Sequence, residues 1–233
     1  MRIISLCLLT VSILTSCVNS NEPCEISLFN GKDLRGWHLY GGAEGALIWD
    51  VKDGILYCDP SKEGEYGDLV SDASYNNYEF SCEWKIDSAG NSGIFFNVIE
   101  REEYPTAWAT GVEYQLLDNE GVSDHNFGDS SRQAGALYAF QGIQNQAAPA
   151  PIGSWNRTTV RMENGVLTYT LNGVQSAQMD LNSNQWKEQV AQSRFNEFRD
   201  FGKAEGGKIG LQAWNGKVYF KNLTLTSLDM DCH

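Results

Sequence analysis

Four Asx-Gly dipeptides, Asp53-Gly54, Asn164-Gly165, Asn172-Gly173 and Asn215-Gly216, each sit between runs in which apolar and polar residues alternate. Such pairs supply the positive φ angles of a tight hairpin turn, because glycine has no Cβ and a short Asx side chain tolerates the left-handed region. A two-residue reversal joins antiparallel strands, so the pattern predicts antiparallel sheet. The alternating runs predict strands over 46–51, 55–59, 78–86, 93–99, 111–117, 135–140, 156–162, 166–171, 208–212 and 218–225. That many strands predict an all-β sandwich of two packed antiparallel sheets. Only 183–198 has helical spacing, with Trp186 and Val190 four apart and Asn182 or Ser183 as N-cap. It predicts one short helix on the flank of the sandwich.

The N-terminus carries Arg2, an apolar run to Leu14 and then Thr15-Ser16-Cys17. A basic start, a short hydrophobic stretch and small residues predict an export signal, and the stretch is too short for a stable membrane span. Leu14-Thr-Ser-Cys17 resembles a bacterial lipobox, which makes Cys17 the lipidated first residue of the exported protein. The organisation expected is a signal peptide over 1–16, a polar tether over 17–25 and a single β-sandwich domain over 26–233. The expected location is the bacterial cell envelope, anchored to the membrane through lipid. The alternative is a plain secretory signal with an incidental cysteine.

The formal net charge is −13, and loss of Arg2 with the signal makes it more negative still. An acidic surface without a basic stripe repels phosphate backbones, which argues against a nucleic-acid partner. Four cysteines remain after Cys7 and Cys17, namely Cys24, Cys58, Cys82 and Cys232. An even set in an oxidising compartment predicts disulfides, and three pairings are open. Cys24 with Cys232, joining the termini, and Cys58 with Cys82, on neighbouring strands, are favoured; buried free thiols are the alternative.

The segment 110–119 alternates Val112, Tyr114 and Leu116 against Glu113, Gln115 and Leu117, so one strand face carries a carboxylate beside an amide. Asn91-Ser-Gly-Ile-Phe-Phe96 precedes it, Trp108 stands just ahead, and Gly135-Ala-Leu-Tyr138 follows. Phe29-Asn-Gly-Lys-Asp-Leu-Arg-Gly-Trp37, Trp155-Asn156, Leu171-Asn-Gly173 and Gly210-Leu-Gln212 complete an ordered set of runs from about Leu28 to Leu228. Together these runs resemble the 3-keto-disaccharide hydrolase domain family. The resemblance implies a concanavalin A-like jelly roll, similar to lectins and glucanases, and an enzyme that cleaves 3-keto-glycosides or 3-keto-disaccharides. The family often carries a basic residue at the place taken here by Asn97, a departure within the substrate-binding set.

A ketone at C3 of a sugar acidifies the C2 proton, so the expected reaction is proton abstraction, elimination of the C1 oxygen and hydration. It needs a base, a donor to the C3 oxygen and an acid or orienting group, but no redox cofactor. Glu113 is the candidate base, Asp118 the acid or orienting group, and Glu83 a further acidic candidate on its own polar strand face. Asn91, Gln115, Tyr138 and Asn97 are candidate substrate-binding groups, and Trp108 a candidate stacking platform. Trp37, Trp49, Trp84 and Trp214 fall in strand patterns that read as core. A divalent metal is the one cofactor considered, with Asp118, Asp124, His125 and Asp129 crowding one loop as oxygen or nitrogen donors. His38 has no local partner. An ordinary retaining glycosidase is disfavoured, because Gln115 stands where a middle acid belongs and Asp118 falls by register on the opposite face. The competing function is a non-catalytic carbohydrate-binding module on the same sandwich. The loop 141–153 is expected to wall the ligand site.

Overall fold

The computed structural model describes residues 23–42, 47–122 and 129–231. The signal segment and the lipidation residue Cys17 lie outside the described residues, as do Asp124, His125 and Cys232. Among the described residues, thirteen strands are arranged in two antiparallel sheets. The larger sheet runs β11 (Val174–Asp180), β10 (Val166–Leu171), β9 (Asn156–Glu163), β6 (Tyr78–Ile86), β13 (Val218–Asp231), β4 (Ile55–Cys58) and β3 (Trp49–Lys52), with β1 (Pro23–Ser27) also on β13. The smaller runs β2 (Trp37–Leu39), β5 (Leu69–Ser71), β12 (Lys208–Leu211), β7 (Asn91–Val98) and β8 (Val112–Leu117). β1 begins inside the segment read from sequence as tether.

The pleat of β6 sends Tyr78, Phe80, Cys82, Trp84 and Ile86 inward and leaves the residues between them half-buried. They meet Ile94 and Phe96 of β7 and Val112, Tyr114 and Leu116 of β8 in one continuous core. Phe80 and Phe96 pack edge-to-face at 5.5 Å, and Tyr114 and Tyr169 at 5.0 Å. Burying each such ring stabilises the fold by about 1.5–3 kcal/mol. Polar groups in this layer are paired across it: Trp84 Nε1 donates to Thr158 Oγ1 at 2.8 Å, and Thr158 Oγ1 donates to the Tyr114 hydroxyl at 2.8 Å.

Three of the four Asx-Gly pairs form the expected two-residue hairpins. Asp53-Gly54 joins β3 to β4, Asn164-Gly165 joins β9 to β10, and Asn172-Gly173 joins β10 to β11, each with both φ angles positive. Asn215-Gly216 instead lies in the crossover from β12 in one sheet to β13 in the other. The helix α1 (Asn184–Gln192) is shorter than the spacing predicts; the Ser183 side chain caps it by accepting from Trp186 N at 3.1 Å, and Trp186 is its buried residue. The predicted strand at 135–140 is a tight turn. It covers the free edge of β8 through three backbone hydrogen bonds, Gly135 N to Gln115 O at 2.8 Å, Gln115 N to Ala136 O at 3.1 Å and Tyr138 N to Glu113 O at 3.1 Å, without forming a named strand of the sheet.

The expected Cys58–Cys82 disulfide is not formed; both are buried free thiols. β13 lies between β4 and β6, and Val218 is opposite both Cys58 and Ile86. Two strand spacings of about 4.8 Å exceed the Cα separation a disulfide spans. Cys24 is disulfide-bonded, while its expected partner Cys232 lies outside the described residues.

Candidate active site

The outward face of the smaller sheet carries the site. With Val112, Tyr114 and Leu116 committed to the core, alternation along β8 turns Glu113 and Gln115 to the opposite face. On β7, Gly93 pairs with Gln115 and Phe95 with Glu113, and Asn91 follows on the same face. Because residue 93 has no side chain, the Glu113 carboxylate lies across it, and a Cβ there would come within 2.9 Å of Glu113 Cδ. The resulting cavity has a volume of about 340 Å³.

Its walls come from distant segments. The 3-10 turn Ala107–Ala109 brings Trp108 to the rim, packed edge-on against Phe198 at 5.3 Å. The edge-covering turn brings Tyr138, whose hydroxyl accepts from Arg132 at 3.2 Å. Arg132 ends the 3-10 turn Ser130–Arg132, which the Asp129 carboxylate caps by accepting from Ser131 N. Arg194 opens the 3-10 turn Arg194–Glu197 and lies 5.8 Å from the ring centroids of both Trp108 and Tyr138, a cation–π arrangement. Gln212 and Trp214, following β12, close the remaining side.

Burial, joined by the nearby Asp68 carboxylate and opposed by Arg194, pushes the Glu113 carboxyl up to about 8. Gln115 is fully buried, and its Oε1 has no hydrogen-bond partner in the protein. An unmatched acceptor beside a carboxyl with a raised pKa, in a cavity that Arg132 and Arg194 also line, forms a site suited to moving a proton and stabilising a developing anion.

Of the residues singled out in the sequence, Glu113, Gln115, Asn91, Trp108 and Tyr138 meet at this cavity. Three do not. Asp118 is buried below the loop after β8, where its carboxylate accepts from Ala89 N at 2.8 Å and Glu120 N at 3.2 Å. Glu83 belongs to the other sheet, held by Lys221 at 3.2 Å and by the Asn222 amide at 2.7 Å. Asn97 sits at a bulge in the β7–β12 pairing with φ of +60°; its amide donates to Lys203 O and its Oδ1 accepts from Tyr78 inside the sandwich. The 141–153 loop packs on β11 and β9 through Gln144 N to Ser176 O and Ala150 N to Asn156 Oδ1, and does not wall the cavity.

Arg132 and Arg194 escaped the sequence reading, Gln212 entered it only within the run Gly210-Leu-Gln212 and with no role, and Trp214, read as core, is 57 % exposed at the cavity. The Asn215-Gly216 turn beside Trp214 was the available signal that it leaves the strand. His38 finds its partners far along the chain: Asp72 at 2.6 Å and Glu100 at 2.9 Å. Among the described residues no group of three His, Cys, Asp or Glu side chains is placed to hold a metal ion. Asp118 and Asp129 are committed to backbone and side-chain donors of their own loops.

The fold is a concanavalin A-like jelly roll with its polar cavity on the outer face of one sheet, an architecture of carbohydrate-active proteins. The chain belongs to the 3-keto-alpha-glucoside-1,2-lyase-like domain family, whose model matches residues 25–226. It is 28 % identical over 228 residues to a 3-keto-disaccharide hydrolase from Bacteroides thetaiotaomicron, an alignment covering 88 % of this chain and 78 % of the relative. A Parabacteroides distasonis protein assigned as a glycosyl hydrolase has a crystal structure that superposes with a TM-score of 0.78 at 30 % identity, covering 88 % of this chain and 94 % of that one. A second protein so assigned from the same species, at 21 % identity and a TM-score of 0.61, shares the fold, with 82 % and 99 % covered. Family membership supports a carbohydrate-active, hydrolase-type function.

Proposed function

We propose that this protein cleaves 3-keto-glycosides by elimination and hydration, with Glu113 as the base. The observation that carries this reading is the Glu113 carboxyl, raised to about 8 by burial on the floor of a cavity that also holds Arg132 and Arg194. Ionised Glu113 takes the C2 proton, and the electron pair of that bond moves into the C2–C3 bond, leaving an enolate oxygen at C3. The two arginines stabilise that charge, and Tyr138 and the Gln115 amide offer donors. Collapse of the enolate forms a C1–C2 double bond and expels the glycosidic oxygen, which takes up the proton now on Glu113. Water adds to C1 and C2 is reprotonated, so the net change is hydrolysis. No covalent bond to the protein is needed.

A carboxyl of pKa about 8 is a stronger base than an ordinary carboxylate while still partly ionised near neutrality, which suits removal of a weakly acidic C–H proton. The test is incubation with a panel of 3-keto-glucosides and with their parent glucosides, following free aglycone by NMR. Release from the keto sugars alone is expected; release from both, or from the parents, contradicts the reading. Sugar binding without turnover supports the binding-module alternative.

The same reading extends to the N-terminus: the lipobox-like Leu14-Thr-Ser-Cys17 supports attachment to the cell envelope through Cys17. Release of a Cys17→Ala variant from membranes is the expected result, and continued membrane association contradicts it.

A further inference from the structure

Asp68, just ahead of β5, buries its carboxyl between two segments that carry walls of the Glu113 cavity. One is the 3-10 turn Ala107–Ala109. Thr106, its N-cap residue, makes no capping bond with its own side chain; its Oγ1 donates instead to Asp68 at 2.8 Å, and the Ala107 backbone N–H donates to the same carboxylate. The turn is thus capped by a residue 38 positions away from Thr106. The other segment follows β12, where Ala213 N donates to the second Asp68 oxygen at 3.1 Å. Trp108 stands in the first segment, and Gln212 and Trp214 flank Ala213 in the second; all three line the cavity. Hydrogen bonds to an ionised acceptor are roughly twice as strong as those between neutral groups, so one carboxylate accepting three of them is a firm tie between two otherwise separate walls.

The same carboxylate acts electrostatically on Glu113. Its three donors favour the ionised form and oppose the upward push of burial, so Asp68 gives up its proton ahead of Glu113. Asp68 also acts on Tyr40, Tyr66 and Cys58, whose protons burial holds above their ordinary ranges. Glu113 for its part interacts with Arg194, which stays charged, and with Tyr169, which burial keeps neutral; Arg132 lines the same cavity. Near neutral pH, among these groups, Glu113 is therefore the one whose titration Asp68 governs.

We propose that Asp68 is a positioning residue for the reaction at Glu113: its carboxylate clamps the Trp108 turn to the Gln212–Trp214 segment and sets a fixed negative charge near the base. This rests on the function proposed above and adds a residue that acts through other groups. Loss of the charge makes Glu113 a weaker base, and loss of the clamp loosens the walls around the sugar. The two effects can be separated.

Asp68→Asn keeps the shape of the side chain and removes its charge. Titration of the Glu113 carboxyl is read by NMR on protein carrying carbon-13-labelled glutamate, the signal being assigned by its loss in Glu113→Gln; this needs no turnover. Its midpoint is expected to fall by about one pH unit in Asp68→Asn, and the midpoint of the kcat/KM profile to fall with it. Thr106→Val keeps the charge and removes one bond of the clamp. In the Glu113→Gln background it should weaken calorimetrically measured binding of the 3-keto form of methyl glucoside about three- to tenfold. As a single substitution it should leave the Glu113 midpoint unmoved. Thr106→Ser, which keeps the donor, should recover most of the lost affinity. A purely structural Asp68 would leave the Glu113 midpoint in place in Asp68→Asn, and that result overturns the proposal, as does unchanged affinity in Thr106→Val. Should Asp68→Asn fail to fold, the two Thr106 variants still decide the clamp. A lowered Glu113 midpoint in Asp68→Asn, together with no turnover of keto sugars by the unsubstituted protein, keeps the action of Asp68 on Glu113 and removes the chemistry.

Discussion

The carboxylate of Glu113 occupies the space above Gly93 that a side chain at residue 93 would fill. The backbone pairing of β7 with β8 sets Gly93 opposite Gln115, so this vacancy and the orphaned Gln115 acceptor belong to the same stretch of sheet. Gly93→Ala should therefore move the Glu113 carboxylate off the cavity floor. Activity on a 3-keto-glucoside is expected to fall on the order of 10²-fold, with a stability loss of about 1–3 kcal/mol from overpacking. In a Glu113→Gln background the same substitution should cause no further loss of activity, which steady-state kinetics on the four variants checks.

The pH dependence follows from the direction of the Glu113 shift. A base with a pKa of about 8 gives kcat/KM that rises with pH and levels off above about 8. Stability carries the opposite sign. A carboxyl raised from 4.5 to about 8 binds its proton more tightly in the folded state. Its contribution is present below the unfolded value and is lost as pH rises toward 8. Glu113→Gln should therefore melt above the unsubstituted protein at pH 8, with the difference shrinking as pH falls to 4. Thermal melts across that range check the sign.

Arg194 partly offsets the burial of Glu113. Arg194→Ala should move the midpoint of the kcat/KM profile to higher pH and lower its plateau as well, because a cation facing the enolate is lost. A lower plateau with an unmoved midpoint would mean that Arg194 acts on the substrate alone.

Cys58 and Cys82 should resist alkylation in the folded protein and react on unfolding. Both thiols are buried, with the Cys58 thiol pushed up to about 12 and that of Cys82 higher still. Mass spectrometry after labelling with and without denaturant counts them.

Local chemistry made part of this architecture legible in the sequence. Asp53-Gly54, Asn164-Gly165 and Asn172-Gly173 specify their hairpins through backbone preference alone, and the alternation around Tyr114 identifies which face Glu113 and Gln115 share. β2 and β5 are three residues each, too short to show a period, and β5 is buried at every position. The Cys58–Cys82 expectation failed because β13, more than 130 residues away in the chain, inserts between the strands that carry them. Asn97 was misplaced because its left-handed backbone, invisible in composition, turns its amide toward Tyr78. Arg132 and Arg194 stand in short turns with no periodic pattern, and only tertiary packing brings them to the cavity that Glu113 lines.

The central claim is that the glycosidic bond breaks through removal of the C2 proton. Turnover of a 3-keto-glucoside in heavy water, with NMR of the released sugar, measures this directly. Deuterium at C2 is predicted, suppressed together with cleavage in Glu113→Gln by about 10²-fold or more. Cleavage with the C2 proton retained would contradict the account and assign the bond-breaking step to direct attack at C1.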